Sequence, residues 1–543
     1  MIPSEPLPGL MMDVPLTTQR LLWRLRTVHG DGRVSTVVDE SGTCVTATYR
    51  EIVTRAERLA AAMRRLGVQP GDRVASLAWN TQQHLEIYYA IMSMGVVLHT
   101  VNLRLHPGQV EQTVNHAQDK VLLLDASLAE QFAAVLPCLS TIEHIVVIGD
   151  LPAETKLPGS LDYETLLDAE EPGFAWPQLD ENVAASLCYT SGSTGNPKGV
   201  LYSHRAIVLH ALSMSGADCY GLTSRDRVLS TVPMFHAMGW GLPFVCAVVG
   251  ADLVMPSRFL RPAPVARVVA EQGITWSCGV PTVWMDVLHH INRQGSGEEL
   301  RTLRTVISGG TQVPASLMRE YDSRFGVNIL QGWGMTEIFP GAALVADDPD
   351  AEPEKRWQDR AAAGRISPLY EMRVVSDDGS ALPQDGEAVG EVEVRGPAVA
   401  SGYYASDAST ADAFHGGWLR TGDLGTIDRS GTLRIVDRLK DAIKSGGEWI
   451  PTAGLEAALM GHPAVLEAAV IGRPDERWGE RPVAFVVLER PVEDADLKSF
   501  LAGRVARWWI PEDMIAVASL PRTSTGKFDK RALRTLESNR AGK

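Results

Sequence analysis

The chain has 543 residues, 45% of them hydrophobic and 22% charged, with a formal net charge of −15. Such values fit an ordinary globular protein of two to four units, at roughly 150 residues per domain. The acidic balance disfavours a nucleic-acid duplex or an anionic membrane as partner, because either demands a basic face, and it leaves a small substrate.

The N-terminal stretch 1–20 has neither a basic start nor a sustained apolar core, so no secretory signal is expected. Apolar positions Ile52, Ala56, Leu59, Ala60, Met63 and Leu66 recur at helical spacing, and predict a helix over 49–66 with one buried face. Gly67 and the Pro70-Gly71 pair stop it. From there to about Val327, strands are expected at 121–124, 145–148, 184–189, 228–232, 253–255 and 305–308, and helices at 206–215, 264–272 and 314–325. Alternation of this kind implies parallel strands with helices on their faces, an α/β architecture. The apolar run 241–251 is too short to span a bilayer.

The charged, proline-containing segment 347–360 reads as an exposed insertion or mobile loop. Beyond it, glycine-punctuated strands at 372–375, 389–395 and 432–436 suggest an antiparallel subdomain. After Asp437 a smaller α+β unit is expected, with strands at 465–471, 483–488 and 514–517 and a helix near 496–508. Six cysteines (Cys44, Cys138, Cys188, Cys219, Cys246, Cys278) show no CxxC or metal-ligand spacing. They read as buried thiols of a reducing compartment, and the cytoplasm is the expected location.

The chemistry concentrates in a few stretches. Tyr189–Val200 reads YTSGSTGNPKGV, after an apolar run. Its amides, the hydroxyls of Thr190, Ser191, Ser193 and Thr194, the glycines Gly192 and Gly195, and Lys198 suit a polyphosphate. Gly199 follows the lysine, so this is not a Walker A loop. Gln331–Glu337 reads QGWGMTE: Trp333 offers a flat face to a purine, and Glu337 a carboxylate to a hard cation that bridges phosphates. Thr421-Gly422-Asp423 is a turn whose carboxylate can accept both hydroxyls of a ribose, and 437–441 packs alternating charge at a domain border.

In order along the chain, YTSGSTGNPKG (189–199), VPMFHAMGW (232–240), SGGTQVP (308–314), QGWGMTE (331–337), TGD (421–423), DRLKDAIKSGGEWI (437–450) and PRTSTGK (521–527) resemble the adenylate-forming superfamily of acyl-CoA synthetases, adenylation domains and luciferases. SLAWNTQQHLEIYYA (76–90) and YSHRA (202–206) are similar to its medium- and long-chain fatty acyl-CoA synthetase and methylthiopropionate-CoA ligase branch.

The resemblance implies a large N-terminal domain of layered sheets with helices (1–437), a hinge (438–441) and a small mobile α+β domain (442–543). It implies ATP, Mg²⁺ and CoA: a carboxylate attacks the α-phosphorus of ATP, and the CoA sulfur then attacks the acyl-AMP. Thr190 and Glu337 would ligate Mg²⁺, and Gly310, Thr311, Gln331, Gly332, Trp333, Gly334, Met335 and Thr336 would line the nucleotide site. Asp423 would hold the ribose, with Arg438, Lys440 and Trp449 also meeting the nucleotide. Lys527 would serve adenylation and Lys444 thioester formation, with Gly446, Gly447 and Glu448 beside the pantetheine. His236 would position the carboxylate, Trp240 would gate the acyl site, and Gly310 and Ile338 would line it. The resemblance leaves a homodimer open.

Two departures stand out. Pro451 in GGEWIPTAGLE (446–456) fixes its own φ and disfavours helix at Ile450, which makes thioester geometry less secure than adenylation. Thr311-Gln312-Val313 replaces the small residues usual after the double glycine, narrowing the acyl pocket. Transfer to a carrier-protein phosphopantetheine, or nucleotide binding without catalysis on the same scaffold, stays open at this level.

Overall fold

The computed structural model describes residues 9–190, 197–294, 296–345, 347–348, 350–446, 448–522 and 528–541. A seven-stranded sheet runs in the order Leu161–Asp162, His144–Ile148, Val121–Asp125, Arg73–Leu77, Val97–Thr100, Ala184–Tyr189, Gly199–Ser203. Neighbours are parallel until the last pair, where Gly199–Ser203 returns antiparallel to Ala184–Tyr189. These two strands therefore pair as the arms of a hairpin, and the helix His204–Met214 begins only after the second, capped by the Ser203 hydroxyl at 3.1 Å from the Ala206 N–H.

A fourteen-stranded sheet forms the other layer. Its parallel part orders Arg33–Val37, Asp252–Met255, Arg227–Leu229, Trp276–Gly279, Thr305–Gly309 and Asn328–Trp333 side by side. It then continues antiparallel through Ala343–Leu344, Gly364–Ile366, Thr432–Arg438, Trp418–Ile427, Gly390–Arg395 and Glu371–Val375. The antiparallel strands expected from the glycine punctuation are present, but they extend this same sheet. A continuous ladder satisfies backbone groups that a separate sheet would leave at an edge. The helix Tyr49–Arg65 matches its predicted span, opened by a capping box between Thr48 and Glu51.

Segment 347–360 is largely exposed, as expected, but it is not a loop throughout. Pro353–Arg360 is a helix, and Arg360 is only 1% exposed. Its guanidinium lies 3.3 Å from Asp322 and over the Trp357 ring at 4.5 Å, so a charge-rich sequence is held down by ion pairing and stacking. Strand 228–232 stops at Leu229, because Asn80 captures the Ser230 and Val232 carbonyls at 2.9 and 2.7 Å and draws the chain off the sheet. Cys188, Cys246 and Cys278 are buried, whereas Cys138 is exposed and Cys44 and Cys219 are half-buried; all six are free thiols.

The C-terminal unit has its own five-stranded sheet, built on the long hairpin of Val465–Asp475 and Gly479–Leu488, with a core of Ile443, Leu455, Leu459, Val470 and Val486. Its helix spans Asp494–Leu501, shorter than expected, since Gly503 takes a φ of +80° that no helix contains. Pro451 caps the helix Thr452–Met460 and follows the strand Glu448–Ile450, in keeping with the backbone restriction it imposes. Among the described residues no helix is long and apolar enough to cross a membrane.

Candidate active site

The candidate segments follow the C-terminal ends of parallel strands: Thr190 after Ala184–Tyr189, His236 beyond Arg227–Leu229, Gly310 after Thr305–Gly309, and Gly334–Glu337 after Asn328–Trp333. Ligand clefts of α/β sheets form at such ends, because loops there can vary while the strands hold them in place.

At the neck of the phosphate loop, the Thr190 N–H donates to the Lys198 carbonyl at 2.9 Å, and the Lys198 N–H to the Thr190 hydroxyl at 3.1 Å. Ser191, Gly192, Ser193, Thr194 and Gly195 lie outside the described residues, as do Gly447 and Lys527. Lys198 Nζ stands 4.7 Å from the centre of the Tyr403 ring, and the Tyr403 hydroxyl donates to Glu337 Oε1 at 2.7 Å. Burial, with the Glu337 charge adding to it, pushes the Tyr403 hydroxyl well above the usual phenol range, so it acts as a donor. Glu337 is 6% exposed, in a short turn whose carbonyl accepts from the Ala400 N–H at 2.8 Å. The Thr336 carbonyl in turn accepts from the Tyr202 hydroxyl at 2.5 Å.

Trp333, four residues before Glu337, donates its indole N–H to Asp423 Oδ2 at 2.9 Å. Arg438 Nε lies 2.7 Å from Asp423 Oδ1. The Trp333 ring, the Asp423 carboxylate and the Arg438 guanidinium are thus one connected group, although 90 residues separate Trp333 from Asp423. Gly334 lets the chain pass close to its own return at Gly341, since a Cβ there would fall 2.4 Å from the Gly341 amide nitrogen. Met335 and Thr336 are half-buried beside it, and Thr311 is exposed.

The acyl-site candidates rest on an unusual turn. Ala237, Met238, Gly239, Trp240 and Gly241 all have positive φ, from 35° to 71°. The three non-glycine residues each carry roughly 1–2 kcal/mol of left-handed strain. Anchors offset it: the Tyr220 hydroxyl donates to the Trp240 carbonyl at 2.9 Å, Tyr88 to the Met234 carbonyl, and the Met234 N–H to Asn80 at 2.7 Å. This turn sets the Trp240 ring 3.5 Å from where a Gly309 Cβ would be, above the strand end that leads to Gly310. Half-buried His236 begins the turn, its carbonyl accepting from the Gly239 N–H at 2.9 Å.

Two candidates make contacts within the scaffold. Gln331 commits its side-chain amide to the Val313 N–H at 2.7 Å and the Ala362 carbonyl at 3.0 Å. Ile338 has no exposure and belongs to the buried cluster of Tyr370, Val392 and Val394. Gly332 faces Leu344, 3.1 Å from its would-be Cβ.

Of the C-terminal candidates, Lys440 lies in the field of Asp423 and Arg438, whereas Lys444 and Gly446 meet other partners. Lys444 Nζ lies 3.4 Å from Asp377 and 5.0 Å from the Trp449 ring centre. Gly446 has a φ of +61° and abuts Trp478, while the Glu448 backbone forms part of a strand. Burial lowers the Lys440 ammonium from its ordinary range. Sequence reasoning missed Tyr403 and Tyr202. The Gly402-Tyr403-Tyr404 triplet between antiparallel strands was the available signal, and without the fold it reads as a loop.

Residues 27–404 match the family described as AMP-binding enzyme, and residues 454–527 its C-terminal domain. The chain is 40% identical over 533 residues to the medium-chain-fatty-acid–CoA ligase of Ectopseudomonas oleovorans, covering 97% of each chain. It is 41% identical over 541 residues to the long-chain-fatty-acid–CoA ligase of Thermus thermophilus, covering 98% of each. Among solved structures, the anthranilate CoA ligase AuaEII in complex with anthranoyl-AMP is 26% identical and superposes with a TM-score of 0.85, covering 96% of this chain and 98% of that one. With the family matched across both of its parts and the same two-part fold, the chain belongs to the adenylate-forming AMP-binding enzymes, in their acyl-CoA ligase branch.

Proposed function

We propose that the protein joins a medium- or long-chain fatty acid, or a similar uncharged apolar acid, to CoA at the expense of ATP, releasing AMP and pyrophosphate. The observation that carries this reading is the connected group Lys198–Tyr403–Glu337 with Trp333–Asp423–Arg438, which gathers phosphate, cation, purine and ribose partners around one turn. The acid is inferred from the relatives and from residues 233–243 and 338–340, which contain no lysine or arginine to pair with a second substrate charge. Free thiols suit a cytoplasmic setting.

In the first step the substrate carboxylate attacks the α-phosphorus, and the bond to the bridging oxygen breaks as pyrophosphate leaves. Lys198 holds phosphate oxygens, Asp423 the ribose, and Trp333 the purine face. Lys527 stabilises charge building on the α-phosphate, a contribution of about 3–4 kcal/mol for a well-placed donor. His236 orients the carboxylate, and Trp240 shields the acyl entrance from water. In the second step the CoA thiol loses its proton to solvent, the sulfur bonds to the acyl carbon, and the bond from that carbon to the phosphate oxygen breaks as AMP leaves.

The buried Glu337 carboxylate suits a hard cation such as Mg²⁺, which Glu337 and Thr190 would hold. When bound, it neutralises phosphate charge. We assign the domains to 1–437 and 442–543, with 438–441 as pivot, so that Lys444 exchanges for Lys527 between the steps.

Carboxylate-dependent exchange of labelled pyrophosphate into ATP, over short, medium, long, aryl and methylthio acids, tests the first step. Absence of exchange with every acid would favour a nucleotide-binding protein. Supplying free CoA or a phosphopantetheinyl carrier protein then identifies the acceptor, and transfer to the carrier alone would replace the CoA reading.

A further inference from the structure

A single strap, residues 400–404, touches Lys198, Gly199 and Glu337. The Ala400 N–H binds the Glu337 carbonyl at 2.8 Å, and the Tyr404 N–H binds the Gly199 carbonyl at 2.8 Å. Between these backbone anchors, Tyr403 meets Lys198 with its ring face and Glu337 with its hydroxyl. Its own position is fixed by the Thr410 hydroxyl, 2.8 Å from its N–H, and by Phe414, whose ring centre is 5.6 Å away. Tyr404 is fixed as well, with its ring edge-on to His116 at 5.5 Å, and His116 lies 2.7 Å from the Tyr189 hydroxyl at the start of the phosphate loop.

The arrangement poses an electrostatic question. An ammonium and a carboxylate in a partly buried site attract strongly, and if they met, each would cancel the other. A lysine spent on Glu337 could not hold phosphate, and a carboxylate spent on Lys198 could not hold a cation. The phenol satisfies both without letting them touch, since an aromatic face attracts the ammonium and a hydroxyl donates to the carboxylate.

We propose that Tyr403 is a positioning residue whose ring spaces Lys198 from Glu337, keeping the phosphate-binding cation and the metal-binding anion from collapsing into an ion pair. This rests on the proposed roles of those two residues. The ring is the operative part, and the hydroxyl is secondary.

The test is ATP affinity of the full-length protein, measured calorimetrically without Mg²⁺ and again with it. Tyr403→Leu is expected to weaken Mg²⁺-free ATP binding about tenfold, by freeing Lys198 to pair with Glu337. Adding Glu337→Gln to that variant is expected to restore binding to within threefold of Glu337→Gln alone, because the competing anion has gone. Tyr403→Phe keeps the ring, and is expected to stay within threefold of the parent without Mg²⁺. If Tyr403→Leu binds normally, or its defect persists in the double variant, the spacer role is overturned. Tyr403→Phe behaving like Tyr403→Leu would also overturn it. Lys198→Ala separates the two levels of inference: unchanged ATP affinity there removes the phosphate role and the proposal with it. A weakened Lys198→Ala beside a normal Tyr403→Leu removes the spacer alone.

Discussion

The proposed pivot is tied by one arginine, which makes its energetics testable. Arg534, on the helix Lys530–Ala541, places Nη2 3.0 Å from the Lys440 carbonyl and 2.9 Å from Asp441 Oδ1. The Arg534 and Asp441 side chains are 37% and 16% exposed, so solvent screening limits the ion pair to well under 1 kcal/mol. The hydrogen bond to the carbonyl adds about 1 kcal/mol, and Arg534→Ala should destabilise this arrangement by roughly 1–1.5 kcal/mol in all. In the same arrangement Lys444 faces Asp377 instead of the Lys198–Glu337 cluster, so this is not the conformer that delivers Lys444. Releasing the tether should therefore favour the thioester-forming conformer. Single-turnover assays of each half-reaction should show the ratio of thioester formation to adenylation rising roughly five- to tenfold, with ATP affinity unchanged. If both half-reactions fall together, or the ratio does not move, Arg534 does not govern the pivot.

Asp423→Asn should weaken ATP binding about tenfold while leaving 2′,3′-dideoxy-ATP little affected, as expected from losing a charged acceptor for hydroxyls; equal losses would mean that it acts only through Trp333 and Arg438. Lys527→Ala should abolish pyrophosphate exchange and keep nucleotide affinity, and a fall in ATP affinity would contradict its assignment to the transition state. Lys444→Ala should slow thioester formation more than adenylation, and equal loss in both would remove the exchange of lysines at the pivot. Burial lowers His84 and His204 to about 4 and His210 to about 3. The unfolded chain binds these protons first, so their stabilisation is full above about pH 6.5 and is lost as pH falls toward those values. Between about pH 7.5 and 5.5 the loss should be about 1 kcal/mol per histidine, and a urea midpoint that stays level over that range would refute it.

The sequence alone determined the family and the chemistry, because those reside in short contiguous runs. A hydroxyl- and glycine-rich run with a lysine, and a carboxylate at the end of a Gly-Met-Thr-Glu run, keep their meaning wherever the chain takes them. Strand and helix periodicity likewise gave the parallel core, since it depends on neighbours in sequence. Tertiary structure alone decided which groups meet. Arg360 looked solvated until Asp322 and Trp357 covered it, and nothing in the sequence joins the Gln331 amide to Val313 and Ala362. Trp333 and Asp423 are joined only because the parallel sheet continues into antiparallel strands. Tyr403, with no motif of its own, became the contact between Lys198 and Glu337 for the same reason: long-range electrostatics and packing act through space, and local sequence carries no record of distance in the fold.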